Sequence, residues 1–439
     1  MKRNSRWVFA AALVMACCSL TASGQTVEIV DSSVGLVSFS GDCGCASAPL
    51  CGCEVAPDCG CDTGGIPVCN RCGNQPWRLF PLLSCGIALD GWIAAGATAT
   101  ADNPGDRYNG PLSFNDRNEV QLNQLYVPIG RATDPCQCFS VGGRVDLLFG
   151  TDYIFTQAIG LETRRDGSRK WNGHDQYGLA MPQLYIEFAY SNLSVKVGHF
   201  YTIIGNESVA APDNFFFSHS YTMQYGEPFT HTGVLANYAV SDRFNVLAGI
   251  HGGWDTFDPI RQRAGFLGGF TWSNCDESFD LAFMLTSGDE LDPSSAFNRR
   301  TMYSIVASFS LSNNVNYIVQ HDNGWQRDWF GLGRDAEWYG LNQYLIYTIN
   351  DCWRAGLRFE WFRDDDGTRV AGVRNNNPAT GPFDGSFYET SLGLNWTPSS
   401  NLTIRPELRW DWFNGNGLPY DQGTEDRQFT AAFDAVLIF

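Results

Sequence analysis

The sequence has few basic residues and, after its first twenty positions, no long apolar run. It contains 29 Lys and Arg against 47 Asp and Glu among 439 residues, a net charge of −18. Because nucleic-acid phosphates need Lys and Arg partners, we expect no nucleic acid to bind. Only 44% of the residues are hydrophobic and the mean hydropathy is −0.20, which excludes a bundle of transmembrane helices.

Patterns typical of catalytic sites are also scarce. The chain has six His. None of them stands in His-x-Ser spacing, and no Gly-x-Ser-x-Gly elbow occurs. A lipase or protease of the nucleophile type needs a nucleophile, a His base and a group that orients the base. We therefore expect neither enzymatic activity nor a cofactor.

One apolar stretch opens the chain. Three basic residues precede an apolar run at 7–20, and small residues follow up to Gly24. This pattern predicts a secretory signal peptide over residues 1–24. A transmembrane anchor is the alternative, but the run is short of the ~20 residues that span a bilayer. A lipoprotein cleavage site at Cys17 is a further alternative, which Met15 fits poorly. Loss of the signal would change the net charge to −21.

Residues 25–85 differ from the rest, because nine of the fifteen cysteines lie there and Cys-x-Cys recurs every eight residues. Outside a reducing compartment such density favours disulfides, within the segment or between chains. Thiolates one residue apart could instead hold a soft metal, but no His is near and Cys-x-x-Cys occurs once. The segment has too few apolar residues for its own core, so we predict a cross-linked extension. The disulfide candidates are Cys43, Cys45, Cys51, Cys53, Cys59, Cys61, Cys69 and Cys72.

From residue 86 onward the chain reads as strands of nine to fifteen residues in which apolar and polar residues alternate. In the segments 402–412, 353–362 and 183–190 the second face is polar and often charged. A soluble sandwich also alternates, with its apolar face inward, and any one strand fits that interpretation. The number of these strands and the lengths of their connections favour a different fold.

The connections alternate between short and long. Short turns are predicted at 130–138, 191–192, 241–242, 273–277, 312–314, 350–352 and 397–400. Long loops are predicted at 101–116, 151–179, 202–228, 255–262, 287–299, 321–335, 363–385 and 413–425. Seven turns and eight loops separate sixteen strands, and this arrangement is typical of a transmembrane antiparallel β-barrel in the outer membrane, an all-β fold. We expect bacterial outer-membrane lipid as its surroundings.

The last segment, "QFTAAFDAVLIF" at 428–439, alternates up to its final aromatic residue. We expect its apolar face to meet lipid and its backbone to pair with the first strand, around 86–100. The end of the segment resembles the signal by which the barrel-assembly machinery recognises outer-membrane proteins. The matching residues are Phe433, Leu437 and Phe439.

The chain resembles the OmpL-like putative β-barrel porin family. The matching stretches are "NEVQLNQLYV" (118–127), "LYIEFAY" with "LSVKVGHFY" (184–201), "HTGVLANYAV" with "FNVLAGIHGGWD" (231–255), "LTIRPELRWDWF" (402–413) and the C-terminal strand. The resemblance covers residues 86–439, so the barrel is expected there. It implies a porin without naming a solute, and it does not explain the cysteine-rich extension.

A barrel of about sixteen strands is wide enough for a water-filled lumen. We therefore expect an outer-membrane porin that lets small hydrophilic solutes and ions diffuse passively. Charged residues on the inward face would set its ion preference, although each could equally be a space-filling ion pair. The pore-lining candidates are Arg144, Asp146, Glu187, Lys196, Arg354, Arg358, Glu360, Arg405, Glu407, Arg409 and Asp411.

The third long loop, 202–228, is long and carries three consecutive Phe at 215–217. Such residues are costly to expose, so the loop is expected either to fold into the lumen or to pack on a neighbouring subunit of a homo-oligomer. In the first case Glu207, Asp213 and Glu227 would form a constriction that faces the basic wall. The alternative function is a structural or adhesive barrel that is cross-linked to the cell surface through the cysteine-rich extension.

Overall fold

The structure is a computed structural model, and its described residues are 77–81, 83, 86–112, 116–134, 137–173, 176–258, 263–291, 296–329, 331, 333–370 and 382–439. The predicted signal peptide and the eight disulfide candidates from Cys43 to Cys72 lie outside the described residues. Both remain predictions, as does the boundary at residue 85.

A single antiparallel sheet dominates the described chain. Its strands are β1 Ala88–Leu89, β2 Trp92–Thr100, β3 Val120–Arg131, β4 Phe139–Gly150, β5 Gly178–Tyr190, β6 Leu193–Tyr201, β7 Thr230–Ser241, β8 Phe244–Trp254, β9 Gly265–Ser273, β10 Phe279–Leu291, β11 Phe297–Ser312, β12 Val315–Gln326, β13 Ala336–Asn350, β14 Trp353–Asp364, β15 Gly385–Ser399, β16 Leu402–Gly415 and β17 Arg427–Ile438. Since β1 and β2 are two residues apart and both pair with β3, they form one strand of the barrel. The predicted fold of sixteen antiparallel strands is confirmed.

The sheet closes on itself, as predicted from the alternation at the C-terminal end. β17 pairs antiparallel with β2, and Phe433 lies opposite Ala97. The backbone N–H of Phe439 donates to the carbonyl of Gly91 at 2.8 Å, and the N–H of Gly91 donates back at 2.9 Å. Closure leaves no open strand edge, which a bilayer would not tolerate.

All seven predicted short turns join consecutive strands on one side of the barrel. Two predicted long loops are partly wrong. β12 continues to Gln326 within the loop expected over 321–335, and β10 continues to Leu291 and β11 begins at Phe297 within the loop expected over 287–299. The inward residues of these strand ends have partners. Glu290 accepts the backbone N–H of Trp254 at 2.8 Å, and Arg300 lies 4.8 Å from the Trp254 ring. These contacts extend the pairing through residues whose polarity predicts a loop.

The two faces of the barrel have the opposite polarity to that of a soluble sandwich. On β16, Arg409 and Asp411 point inward and are 1% and 0% exposed, whereas Leu408 and Trp410 point outward and are 47% and 49% exposed. On β17, Phe433 is 53% exposed and Asp434 is 1% exposed. Apolar residues outside and charged residues inside fit a barrel surrounded by lipid.

Aromatic residues occur on the outer face at two levels. Trp353 and Trp396 stack at 5.6 Å beside the short turns, and Tyr388 and Trp412 stack at 5.3 Å towards the long loops. Membrane barrels place aromatic side chains at both interfaces of the bilayer. The described chain contains no helix long and apolar enough to cross a membrane.

The connections contain short helical turns. These are 3₁₀ turns at Thr151–Thr156, Ala211–Asp213 and Asp421–Gly423 and a π turn at Thr222–Gly226. The third long loop, between β6 and β7, folds into the barrel and carries two of these turns. Its position determines how wide the lumen is at the middle of the barrel.

The chain that precedes the barrel is fixed at the rim formed by the short turns. Asn401, in the turn between β15 and β16, accepts the N–H of Trp77 and donates to its carbonyl, both at 2.8 Å. The same amide donates to the carbonyl of Ile438 at 2.7 Å. One side chain therefore joins the preceding segment, a turn and the last strand.

Candidate functional site

The candidate site is the lumen, and its most highly charged wall is formed by β14, β15 and β16. Alternation along each strand points their charged residues inward, as predicted. The predicted residues that are buried on this wall are Arg358, Glu360, Arg405, Glu407, Arg409 and Asp411. They are 4% exposed or less, so they lie beneath other protein groups and not beside open water.

The third long loop covers them, and its backbone carbonyls accept hydrogen bonds from the wall arginines. Arg358 donates from Nη1 to the carbonyl of Ser218 at 2.8 Å. Arg409 donates to the carbonyl of His219 at 2.6 Å. Arg405 donates to two loop carbonyls, at 2.7 and 2.8 Å. Three wall arginines thus satisfy loop carbonyls that would otherwise be buried without partners.

Loop N–H groups bind the wall carboxylates in return. The N–H groups of Tyr221 and Thr222 each donate to Glu360 at 2.6 Å. Those of Phe217 and Ser218 donate to Glu407 at 2.9 and 3.1 Å. Hydrogen bonds to charged groups are stronger than those between neutral groups. The loop is therefore held against the wall through both its N–H groups and its carbonyls.

Glu207, one of the three predicted constriction residues, does face the basic wall. It accepts from Arg358 Nη1 at 2.9 Å, from Tyr344 at 2.9 Å and from the N–H of Ser220 at 3.0 Å. Burial would raise the pKa of Glu207, but Arg358 and His219 outweigh it and lower the pKa to about 2. This carboxylate is therefore ionised at neutral pH and belongs to the packing of the loop.

The other two predicted constriction residues lie elsewhere. Glu227 does not contact the wall arginines: it accepts from Gln320 Nε2 at 2.6 Å on β12, two strands from β14. Burial first, and then the neighbouring Asp322, raise the pKa of Glu227 well above its usual range. Asp213 ends the 3₁₀ turn at Ala211–Asp213 and is exposed. Sequence position alone cannot distinguish these three carboxylates.

A second group of predicted residues lies on β4. Arg144 forms an ion pair with Asp146 at 2.7 Å, and Asp146 also accepts from Tyr126 at 2.5 Å and from Gln183 at 2.8 Å. The Asp146 side chain is fully buried and that of Arg144 is 15% exposed. This cluster fixes β3, β4 and β5 to one another and offers little charge to the lumen.

The remaining predicted residues lie close to the short turns. Glu187 and Lys196 are half-buried and opposite each other on β5 and β6. Lys196 Nζ lies 5.0 Å from the ring of Tyr185. Arg354, the second residue of β14, is exposed and lies 5.8 Å from the ring of Phe215 in the third loop. Water reaches all three charges near the short turns, where Phe215 of the third loop also lies beside Arg354.

Towards the long loops, apolar side chains of the third loop pack against the inner wall. Tyr221 and Tyr225 of the third loop pack in one cluster with Trp338, Phe362 and other inward residues of the wall. Trp338 donates from Nε1 to the carbonyl of Gly226 at 3.0 Å, and the hydroxyls of Tyr221 and Tyr420 are 2.8 Å apart. The long-loop half of the barrel therefore has a core of its own.

Several inward carboxylates were missed among the sequence-based candidates, and two of them bind wall arginines. Glu389 on β15 pairs with Arg358 at 2.5 Å, and Asp434 on β17 pairs with Arg405 at 2.6 Å. Both stand on the polar face of their alternating strands, so the same pattern could have identified them. The loop residues that bind the wall, such as Ser218 and Tyr221, carry no comparable signal in the sequence.

Comparison with solved structures supports the barrel. The outer membrane channel DcaP of Acinetobacter baumannii has a TM-score of 0.51 at 11% identity, over 81% of this chain and 97% of that one. The anion-selective porin from Comamonas acidovorans has a TM-score of 0.52 at 10% identity, over 80% and 99%. OmpT of Vibrio cholerae, folded in vitro, has a TM-score of 0.51 at 11% identity, over 80% and 97%. At these identities the likeness is one of fold.

The comparison with family models is more specific. No curated protein matches the sequence. Residues 86–439 match the family model described as "Putative beta-barrel porin-2, OmpL-like", which spans every described strand of the barrel. That match confirms the resemblance drawn from the strand motifs, and it agrees with an outer-membrane location. The chain belongs to the OmpL-like family of β-barrel porins.

Proposed function

We propose that the barrel lets small hydrophilic solutes and ions diffuse passively across the outer membrane. The observation that supports this most directly is the short-turn half of the lumen. There Glu187, Lys196 and Arg354 are inward-facing, charged and accessible to water. A protein whose barrel served only as an anchor would have no need of hydrated charges at that level.

The third long loop sets the size of the path. It lies inside the barrel at the height of Arg358 and Arg409, and it also bonds to Gln320 on β12 and Gln124 on β3. It therefore narrows the lumen from the arc of wall that runs from β12 through β17 to β3. A pore narrowed in this way passes small solutes and excludes large ones. The accessible charges are of both signs, so we expect weak discrimination between anions and cations.

Planar-bilayer recording tests the proposal. Purified protein should insert and give stepwise currents, and liposomes that contain it should swell in small sugars but not in large oligosaccharides. A matched control is the chain shortened to begin at residue 77, which keeps Trp77 and Asn401 in contact. It should conduct equally. A folded, inserted barrel that carries no current would contradict the proposal.

A structural barrel is the second candidate, because the long-loop half of the lumen is packed with apolar side chains. In that function the segment before Trp77 would link the barrel to another surface. Removal of residues 25–76 would then abolish the link while leaving the barrel folded. Conductance and surface attachment, measured on the same shortened chain, distinguish the two candidates.

A further inference from the structure

The cysteines of the barrel stand on one rim. The cysteines that follow residue 86 all occur in short turns, and they are Cys136, Cys138, Cys275 and Cys352. The sequences of the long loops contain none. The segment that carries the cysteine-rich repeat joins the barrel at the same rim, where Trp77 is bonded to Asn401. Cysteines of the segment and of the barrel are therefore on one side of the molecule.

The three barrel cysteines that the structure describes differ in state. Cys138 and Cys275 are exposed and free, whereas Cys352 is disulfide-bonded. Cys352 is also only 6% exposed, although it stands in a turn and Asp351 before it is exposed. Because neither of the other two described cysteines is bonded, the partner of Cys352 is a cysteine outside the described residues.

Cys352 lies beside the turn that holds Trp77. Its carbonyl accepts the N–H of Thr397 at 2.8 Å, and Thr397 stands four residues before Asn401. The two turns flank the neighbouring strands β14 and β15, so they are two strand spacings apart, or ~10 Å. Cys72 precedes Trp77 by five residues, which span up to ~17 Å when extended. Since a disulfide joins Cα atoms within ~7 Å of each other, Cys72 can reach Cys352.

Two other cysteines are too far from Cys352. Cys85 stands between Leu83 and Ile87, and the N–H of Leu83 donates to the carbonyl of Ile87 at 2.8 Å just before β1. From the first strand of the barrel to β14 the sheet spans four strand spacings, or ~19 Å. Cys136 is further away, because it belongs to the turn between β3 and β4.

Among the remaining cysteines, Cys72 has the shortest tether to the rim. It is five residues from Trp77, whereas Cys69 is eight residues away and the others are more distant. The effective concentration of a tethered group falls once the tether is longer than the distance it has to cross. Cys72 is therefore the partner that the geometry favours.

We propose that Cys72 is joined to Cys352 by a disulfide, the rim disulfide, which attaches the cysteine-rich segment to its own barrel. This bond and the amide of Asn401 then hold the segment at two neighbouring turns. The Cys-x-Cys pairs at 43–61 precede the rim disulfide in the chain and stay available for other links. The proposal depends on the fold of the barrel and not on its conductance.

The bond forms by thiol–disulfide exchange with an oxidising protein that carries a disulfide. The thiolate of Cys72 attacks this donor disulfide, forms a mixed disulfide and releases one donor thiolate. The thiolate of Cys352 then attacks the sulfur of Cys72, which completes the rim disulfide and releases the second donor thiolate. Two cysteine thiols are oxidised and lose their protons, and the donor disulfide is reduced to two thiols.

Peptide mapping of the full chain tests the pairing. Cys69 and Cys72 fall in different tryptic peptides, because trypsin cleaves after Arg71. The protein is unfolded with a reagent that blocks free thiols and digested without reductant. Peptide 72–78 should be joined to peptide 335–354, and reductant should separate them. A 335–354 peptide with a blocked thiol, or one joined to any other peptide, would overturn the proposal.

Limited proteolysis provides the second test. Arg78 is exposed, and cleavage after it cuts the backbone between the segment and the barrel. On denaturing gels the cut segment of the wild type should stay with the barrel and leave it only when reductant is added. In Cys352→Ser it should leave without reductant. The matched control is Cys275→Ser, which removes a free thiol from another short turn and should retain the segment. Retention in Cys352→Ser, or release from the wild type without reductant, would refute the rim disulfide.

Discussion

The middle of the lumen and its short-turn half are built from the same kinds of residue but differ in what surrounds them. Arg358 on β14 is fully buried and is bound by Glu389, Glu207 and a loop carbonyl. Arg354, four residues earlier on the same face of the same strand, is exposed. An inward charge therefore contributes to the packing of the loop or to the hydrated path, depending on its height in the barrel.

The largest effect should come from removal of the loop that creates this difference. Deleting residues 206–224 and joining the ends with Gly-Ser-Gly should raise single-channel conductance several-fold, because the loop occupies part of the lumen cross-section. The barrel should still fold, since its strands pair through their own backbone.

The control removes residues 164–168, an exposed part of the loop between β4 and β5. Its conductance should equal that of the wild type. If the 206–224 deletion leaves conductance unchanged, then the loop does not narrow the path.

A smaller effect is expected when the loop is loosened but kept. Arg358→Ala would remove the arginine of Glu207 and the nearer of the two arginines of Glu389, and breaking a buried ion pair costs about 3–5 kcal/mol. We expect protease cleavage within 206–224 to increase and the open-channel current to become noisy. Arg354→Ala is the matched control, for which cleavage should remain at the wild-type rate. Equal cleavage of both variants would show that Arg358 does not hold the loop.

The accessible charges should instead control ion preference. Lys196→Ala with Arg354→Ala removes two positive charges from the short-turn half, so the reversal potential in a salt gradient should shift towards cation selectivity. The shift should be larger in 0.01 M salt than in 0.1 M salt, because the screening length is ~30 Å in the first and ~10 Å in the second. An unchanged reversal potential at low salt would place the conducting path away from these residues.

The smallest effect on conductance is expected from Glu162, in the loop between β4 and β5. Burial raises its pKa from 4.5 to about 7, and it accepts the N–H groups of Ala158 and Met181 at 2.9 and 2.8 Å. Between pH 4.5 and pH 7 Glu162 is protonated in the folded loop but ionised when the loop is unfolded. The stability of the folded loop should therefore fall as pH rises from 4.5 to 7 and then level off.

Hydrogen exchange of residues 158–170, corrected for intrinsic rates, measures this stability. Protection should decrease between pH 5 and pH 7 in the wild type and stay level in Glu162→Gln, with conductance unaffected in both proteins. The same decrease in Glu162→Gln would assign the titration to another group.

Most of the fold could be predicted because its signals are local. Alternation along β16 and β17 determines which side chains point inward, and the seven short turns are visible as polar residues between apolar runs. The ends of β10 and β11 could not be predicted. They depend on Trp254, a residue that lies distant in sequence and contacts both Glu290 and Arg300.

The loop in the lumen could be predicted only in outline. Three consecutive aromatic residues indicated burial, but the contacts that place the loop join residues up to 199 positions apart, as between Tyr221 and Tyr420. Many of them use backbone carbonyls and N–H groups, which every sequence provides. Because the sequence gives no sign of these contacts, alternation alone predicted that Arg405 and Arg409 line the conducting path. In the structure both are buried beneath the loop.

The bonds of Asn401 also have a mechanical consequence. Its amide holds both Trp77 and the carbonyl of Ile438, so tension at Trp77 reaches the turn between β15 and β16 first. From there it passes along β16 and β17, whose many hydrogen bonds are loaded together in shear. The covalent chain also leads from Trp77 into the first strand, so the bonds of Asn401 divide the load between that strand and the β16–β17 pair.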